Sequence, residues 1–275
     1  MKILVVDREE ITAELMRSRL EPLGHKIEWE EVKNNAVERL SKEHFDMIFI
    51  DPAPLTSARP LILNLRRATK QYPFIVNMSA DLSLIEAIQS GANDFISKPI
   101  DPDALDEKVR NAHHLIKQIE RIGDDSQDFP SAGGIIAKSA FNQLFLSAID
   151  RADRYGERTY IVLIGISNYQ AIFEGDGAHN ADYASAKLSQ YLVRLRRQSD
   201  IIAQTESFEY TLLLQRPLYE TEPVEAANRF AEAILDHEEL FKSDGIAPEI
   251  YVKLIDLPCG SKMIEHTVTK QHTKS

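Results

Sequence analysis

The sequence predicts an open, doubly wound α/β sheet over residues 1–122 and a smaller α+β domain behind it. Three observations carry this. Short continuous apolar runs, as expected for parallel strands buried on both faces, alternate five times with segments whose apolar residues recur at helical spacing. A polar stretch with glycine and proline, residues 123–134 (GDDSQDFPSAGG), then breaks both patterns and reads as a linker. Beyond it, two β-rich runs stand at hairpin-like spacing, which makes the second sheet mixed or antiparallel.

In chain order, the first apolar run is Ile3-Leu4-Val5-Val6, followed by Ile11, Leu15, Leu20 and Leu23 at near-helical spacing. A strand over residues 27–32 precedes a short helical stretch around Ala36 and Leu40. Met47-Ile48-Phe49-Ile50 is the third strand-like run. Helix-like residues 61–68, strand-like 74–78 and helix-like 82–88 continue the alternation. The turn at Gly91 leads to Phe95-Ile96-Ser97, and Leu105, Val109, Ala112, Ile116 and Ile119 mark a closing helix. Strands and helices in strict alternation imply a parallel sheet with right-handed crossovers. Its functional crevice is expected at the carboxyl ends of the strands.

The second domain, residues 135–260, opens with an amphipathic helix bearing Phe141, Leu144, Phe145, Ala148 and Ile149. A strand over 160–166 follows, and Ala184, Leu188, Tyr191, Leu192 and Leu195 share one face of the next helix. Ile201-Ile202-Ala203 and Thr211-Leu212-Leu213-Leu214 flank Glu206-Ser207-Phe208-Glu209. A helix over 224–235 and a last strand over 250–257 complete the domain, and residues 261–275 read as a loose polar tail.

Bulk properties narrow the function. A formal charge of −11 repels polyanions, so a DNA-binding output is not expected. No segment has the apolar length to cross a bilayer, and no signal peptide is visible. The single cysteine, Cys259, cannot form an internal disulfide, which agrees with a reducing cytoplasm. His179, His237 and His266 lack metal-ligand spacing.

The strand ends carry the chemistry. Asp7 follows the first strand, Asp51 the third, Ser79 the fourth and Lys98-Pro99 the fifth, all on one rim of the sheet. With Gly91-Ala92 before the last strand, this constellation resembles the response-regulator receiver family, whose fold is flavodoxin-like. The resemblance implies Asp51 as phosphoacceptor, Lys98 as the phosphoryl-binding cation and Ser79 as the hydroxyl that contacts the phosphoryl group. It also implies Phe95 as the aromatic switch residue. Mg²⁺ would sit on Asp7 and Asp51, and a sensor histidine kinase or phosphotransferase would be the phosphodonor. A carboxylate attacking a phosphoryl group needs such cations to neutralise the charge that builds up. The family's second adjacent acid is replaced here by Arg8, which should weaken metal binding. Pro52-Ala53-Pro54 is a further departure, with the proline one position early.

From residue 141 to about 235 the layout resembles the GGDEF family of diguanylate cyclases: residues 161–167, then Asn168-Tyr169-Gln170, Gly177, Asp182, the helix to Arg197 and the hairpin. Where that family carries metal-binding aspartates this chain has Gly165 and Ser167. Where its hairpin reads Gly-Gly-Asp/Glu-Glu-Phe this chain has Glu206-Ser207-Phe208-Glu209-Tyr210. Two-metal phosphoryl transfer needs carboxylates to hold its cations, so the resemblance implies a degenerate domain without cyclase activity. Arg197-Gln198-Ser199-Asp200 matches the family's RxxD site, which implies cyclic di-GMP as a ligand of Arg197 and Asp200. An arginine and a carboxylate suit phosphate and guanine edges, although cations also favour a helix C-terminus for purely local reasons. The expectation is a cytoplasmic, bacterial, non-catalytic response regulator that docks a downstream protein, with homodimerisation common in both families. The alternative is a scaffold or dimerisation protein in which both sites are vestigial.

Overall fold

The computed structural model describes residues 1–69, 71–243 and 245–269. These fall into two compact units, each with its own sheet.

The first unit comprises Met1–Ile119 with Ala148–Arg158 and Leu257–Ser261. Its strands are β1 (Lys2–Val6), β2 (Lys26–Glu30), β3 (Met47–Ile50), β4 (Phe74–Ser79) and β5 (Asp94–Ser97), in the order β2-β1-β3-β4-β5. Every neighbouring pair is parallel. Helices α1 (Glu10–Leu20), α2 (Lys33–Lys42), α3 (Arg59–Ala68) and α4 (Leu84–Gln89) provide the crossovers, and α5 (Pro102–Gly123) follows the last strand. The apolar runs have the cause assigned to them. Leu4, Val6, Ile48, Ile50 and Ile75 pack with Ala36, Leu40, Leu61, Ile62 and Leu65 on one face. Ile3, Val5, Met47 and Phe49 alternate with them, point to the other face and are equally buried. An open, doubly wound parallel sheet is therefore what the chain forms here.

Two details fix the turn into β5. Gly91 adopts a left-handed backbone, and a Cβ there would lie 2.9 Å from the Asp153 carbonyl oxygen, so the position tolerates only glycine. Buried Asn93 accepts from the Ile75 N–H at 2.8 Å and from Arg66 at 2.9 Å, and donates to Tyr72 at 2.8 Å.

The second unit comprises Glu120–Ser147, Thr159–Asp256 and the chain from Lys262. Residues 124–131, within the expected linker, form no helix or strand, and bridges pair Ala132 with Ile135 and Ile136 with Ala203. The elements are α6 (Lys138–Tyr155), β6 (Thr159–Ile166), α7 (Tyr169–Asp176), α8 (Ala178–Leu195), β7 (Ile201–Glu206), β8 (Glu209–Leu214), α9 (Glu222–Asp236), β9 (Ile250–Leu257) and β10 (Lys262–Val268). Strand order is β10-β9-β6-β8-β7, with β6–β8, β7–β8 and β9–β10 antiparallel. Leu188 and Leu192 of α8 and Ala227, Phe230 and Ile234 of α9 bury one sheet face with Val162, Ile164, Leu212 and Val252. From β6 to β9 this is a β-α-β-β-α-β unit of the split type.

One expectation is corrected. Lys262–Val268 is an edge strand, where the sequence suggested a loose tail. From Ile264 its residues alternate between exposed and half-buried or buried, as in a strand with one face covered, and it pairs with β9 at the edge of the sheet. Residues 270–275 of that expected tail lie outside the described residues. The short helix α7 was also not anticipated.

Asp153 of α6, in the first unit, is buried 3.1 Å from Arg66 and accepts a hydrogen bond of 3.1 Å from the Tyr72 hydroxyl. Burial pushes its carboxyl from the ordinary 3.8 up to about 6, against the pull of Arg66 and Tyr72. The folded chain then holds this proton more tightly than the unfolded chain does. Its contribution is full below about pH 4 and is lost as pH rises through about 6, a change of up to about 3 kcal/mol. Urea denaturation across that range should show this slope in the wild type and a flatter profile in Asp153→Asn.

Candidate functional site

Sheet register brings the expected rim residues together. Val6 of β1 pairs with Ile50 of β3, so Asp7 and Asp51 leave the sheet side by side. The Asp51 N–H donates to the Val6 carbonyl at 3.0 Å and extends the ladder by one rung. Ser79 of β4 pairs with Ser97 of β5, and the Lys98 N–H donates to the Ser79 carbonyl at 3.0 Å. Lys98 therefore starts from the same rim and reaches back to both acids. Its ammonium lies 2.7 Å from Asp7 Oδ2 and also pairs with the Asp51 carboxylate. Burial alone would lower the Lys98 pKa, but hydrogen bonds to Asp51 and Asp7 outweigh it and raise the group above its ordinary value.

The two acids are held by their own loops. Asp7 is 2% exposed, and its Oδ1 accepts the Glu9 N–H at 3.0 Å. Its carbonyl accepts the Trp29 indole N–H at 2.9 Å. Asp51 Oδ1 accepts the Ala53 N–H at 2.8 Å. Ser79 Oγ accepts the Asp81 and Leu82 N–H groups at 3.1 and 3.3 Å. It lines a cleft of about 550 Å³ with Pro52, Ala53, Pro54 and Glu86. Phe95 is half-buried against the sheet core.

This geometry coincides with similarity to known proteins. The response regulator receiver domain family matches residues 3–110. Residues 3–110 are a response regulator receiver domain. The two-component response regulator PhoP of Pseudomonas aeruginosa is 29% identical over 112 residues, 40% of this chain and 50% of PhoP. The response regulator protein PmrA of the same organism is 27% identical over 113 residues, 40% of this chain and 51% of PmrA. The chain thus spans about half the length of the relatives it matches. Among solved structures, a response regulator from Thermotoga maritima is 27% identical, with 40% of this chain and 95% of that chain covered and a TM-score of 0.38. The receiver domain of the Francisella response regulator 1452 is 26% identical, with 42% and 97% covered and a TM-score of 0.37.

The receiver pocket contains a group that sequence reading missed. Lys33, the first residue of α2, donates from Nζ to the Ala53 carbonyl at 2.7 Å. Burial lowers its pKa and Arg8 adds to the shift, while Asp51 and Asp7 oppose it. Local sequence gave no signal for it, because α2 and the loop after β3 meet only in the fold. The two acids expected to hold Mg²⁺, Asp7 and Asp51, are thus already engaged with Lys98; the Ala53 carbonyl, two residues on from Asp51, binds Lys33, and Arg8 stands where the family's second acid would be. Mg²⁺ demands near-octahedral oxygen ligands at close range, and these residues do not fit it.

In the second unit, the β7–β8 hairpin and β6 meet in a closed polar network. Gly165 pairs with Glu209, and a Cβ at Gly165 would lie 2.6 Å from the Tyr251 hydroxyl and 2.8 Å from the Phe208 carbonyl. Glu209 is 1% exposed; it pairs with Arg121, accepts from the Tyr251 hydroxyl and accepts from Thr205 at 3.0 Å. Arg121 also lies 3.7 Å from Glu206. Ser167 donates to the Glu249 carbonyl at 3.2 Å. Neither Tyr251 nor Arg121 was anticipated from sequence.

Arg197 and Asp200 come together in the tight turn between α8 and β7. Asp200 Oδ2 accepts the Arg197 N–H at 3.1 Å, and Asp200 is 7% exposed. The Arg197 guanidinium pairs with Glu222. Both residues line a cleft of about 250 Å³ that Arg216, Leu218 and Arg229 share.

Returning a carboxylate to β6 tests how closed the network is. Gly165→Asp must displace the Tyr251 ring and place a second acid beside buried Glu209. It should destabilise the protein by about 2–4 kcal/mol in urea titration.

Proposed function

We propose that the chain is a non-catalytic response regulator of bacterial two-component signalling, acting in the cytoplasm. The receiver takes a phosphoryl group at Asp51 from a sensor histidine kinase or phosphotransferase. The second unit is a degenerate GGDEF-like domain that passes the state on by binding. Its ligands are cyclic di-GMP, at Arg197 and Asp200, and a downstream protein. The observation that carries this reading is Lys98 shared between Asp7 and Asp51 at the carboxyl edge of the parallel sheet. A cation held there is placed to follow negative charge from the carboxylate onto a phosphoryl group.

Several features support the second half. The β6-to-β9 order is that of a split β-α-β-β-α-β fold, compatible with the cyclase-like layout. The space beside Gly165, where that family keeps an acid, is taken by Tyr251 and Phe208, which argues against cyclase chemistry. The net charge of −11 argues against a polyanionic partner. At the RxxD turn, three arginines face one cleft, and an anionic nucleotide would compete with Glu222 for Arg197.

Incubation with acetyl phosphate tests the receiver. An Asp51 carboxylate oxygen bonds to phosphorus as the bond from phosphorus to the acetyl oxygen breaks and acetate leaves. Intact mass should show one added phosphoryl group on the wild type and none on Asp51→Asn. No addition to the wild type would favour the scaffold reading, which the cations Arg8 and Lys33 around the pocket already commend.

Calorimetric titration of cyclic di-GMP tests the second unit. The wild type should bind, Arg197→Ala should bind at least about tenfold more weakly, and Glu222→Gln, which frees Arg197, should bind more tightly. No heat with any of the three proteins removes the nucleotide from the proposal.

A further inference from the structure

We propose that Lys33 is a tethered counter-ion that takes the place of a divalent metal in the receiver pocket, so that the site carries its own cation and does not take up Mg²⁺. The inference rests on the receiver pocket alone and holds whether or not Asp51 accepts a phosphoryl group.

Four observations converge on it. Lys33 Nζ is bonded at 2.7 Å to the carbonyl of Ala53, two residues beyond Asp51, and the Ala53 N–H is itself bonded to the Asp51 carboxylate. Its ammonium lies among all the other charges of the site, attracted by Asp51 and Asp7 and repelled by Arg8 and Lys98. Its place in α2 has no local rationale: it is the first helical residue, where a cation opposes the helix dipole, and the first turn holds no acid. Helix preference therefore does not explain a lysine here, whereas the pocket does. Finally, Arg8 occupies the neighbouring position after β1, so the site sets three cations against the carboxylates of Asp7 and Asp51.

The charge balance decides the matter. Two carboxylates close together need compensation, and a divalent ion is one way to supply it. Lys98 and Lys33 together supply the same two positive charges covalently, at no cost in dehydrating a metal. Arg8 adds a third positive charge near Lys33, which raises the electrostatic cost of bringing a metal ion beside these acids.

The chain contains a reporter for this. Trp29 is its single tryptophan, and its indole N–H is bonded to the Asp7 carbonyl at 2.9 Å. Tryptophan fluorescence of the full chain is followed during titration with MgCl₂ and MnCl₂. The wild type should show no saturable change through the millimolar range. The double variant Arg8→Asp with Lys33→Met, folded by circular dichroism, should show one, with at least a tenfold gain in affinity over the wild type. If the double variant does not fold, Lys33→Met alone decides: Mn²⁺ should broaden the Trp29 indole proton resonance in the variant and leave the wild type unaffected.

Saturable Mg²⁺ binding by the wild type would overturn the inference. So would a folded double variant that responds to neither ion, since Lys33 and Arg8 would then not be what excludes the metal. Repeating the acetyl phosphate reaction in excess EDTA separates this inference from the function proposed for Asp51. Loss of an otherwise observed mass gain in EDTA counts against a metal-free pocket. Absence of any gain with or without metal counts against phosphorylation and leaves the fluorescence result decisive.

Discussion

Two acidic side chains that leave neighbouring parallel strands at the same level, one of them almost fully buried, cannot stand without a cation between them. Asp7 and Asp51 are in that position because Val6 and Ile50 share a register, and Lys98 answers them from the far side of β4. The rest of the receiver serves this arrangement. The β1 and β3 runs must be apolar on both faces to bury the sheet under helices on each side, and that burial fixes where each strand stops. The Asn93 hydrogen bonds and the left-handed Gly91 set the entry to β5, and through it the point from which Lys98 departs.

This half of the molecule was legible in the sequence for a physical reason. Strands covered on both sides have no solvent face, so they appear as unbroken apolar runs, and a rim residue is simply the first polar one after each run. Asp7, Asp51 and Lys98 could be read in that way. Lys33 could not, because nothing in its own neighbourhood distinguishes it from an ordinary surface lysine at the start of a helix. Its significance depends on the Ala53 carbonyl, which is remote in sequence and near only once β1 and β3 have paired. The strand Lys262–Val268 escaped for the opposite reason. An edge strand with one paired side and few apolar residues carries almost no periodic signal.

The second unit shows the limit of reading a site from what is missing. Its sequence identified Gly165 as a place without a carboxylate but said nothing of what filled the space. Tyr251 comes from β9 and Arg121 from the last turn of α5, and both converge on Glu209, which sits at 1% exposure in the hairpin. A carboxylate so deeply buried is strongly unfavourable alone, and removing either partner would leave it uncompensated. The network thus has a structural reason to persist that is independent of any ligand. The glycine at 165 follows from it, because any Cβ would collide with the phenol that donates to Glu209.

Placed side by side, the two sites obey one rule. Each gathers acidic groups in a buried or half-buried place, and each answers them with cations and hydroxyls that are part of the chain. In the receiver these are Lys98 and Lys33; in the second unit they are Arg121 and Tyr251. A metal ion can leave, and its site then responds to its concentration. A tethered ammonium or guanidinium cannot leave, so the charge balance is set when the chain folds. What can still change such a site is a new anion large enough to compete for the tethered cations, such as a phosphoryl group at Asp51. Regulation would then act on which acid each cation serves, with the number of cations held constant.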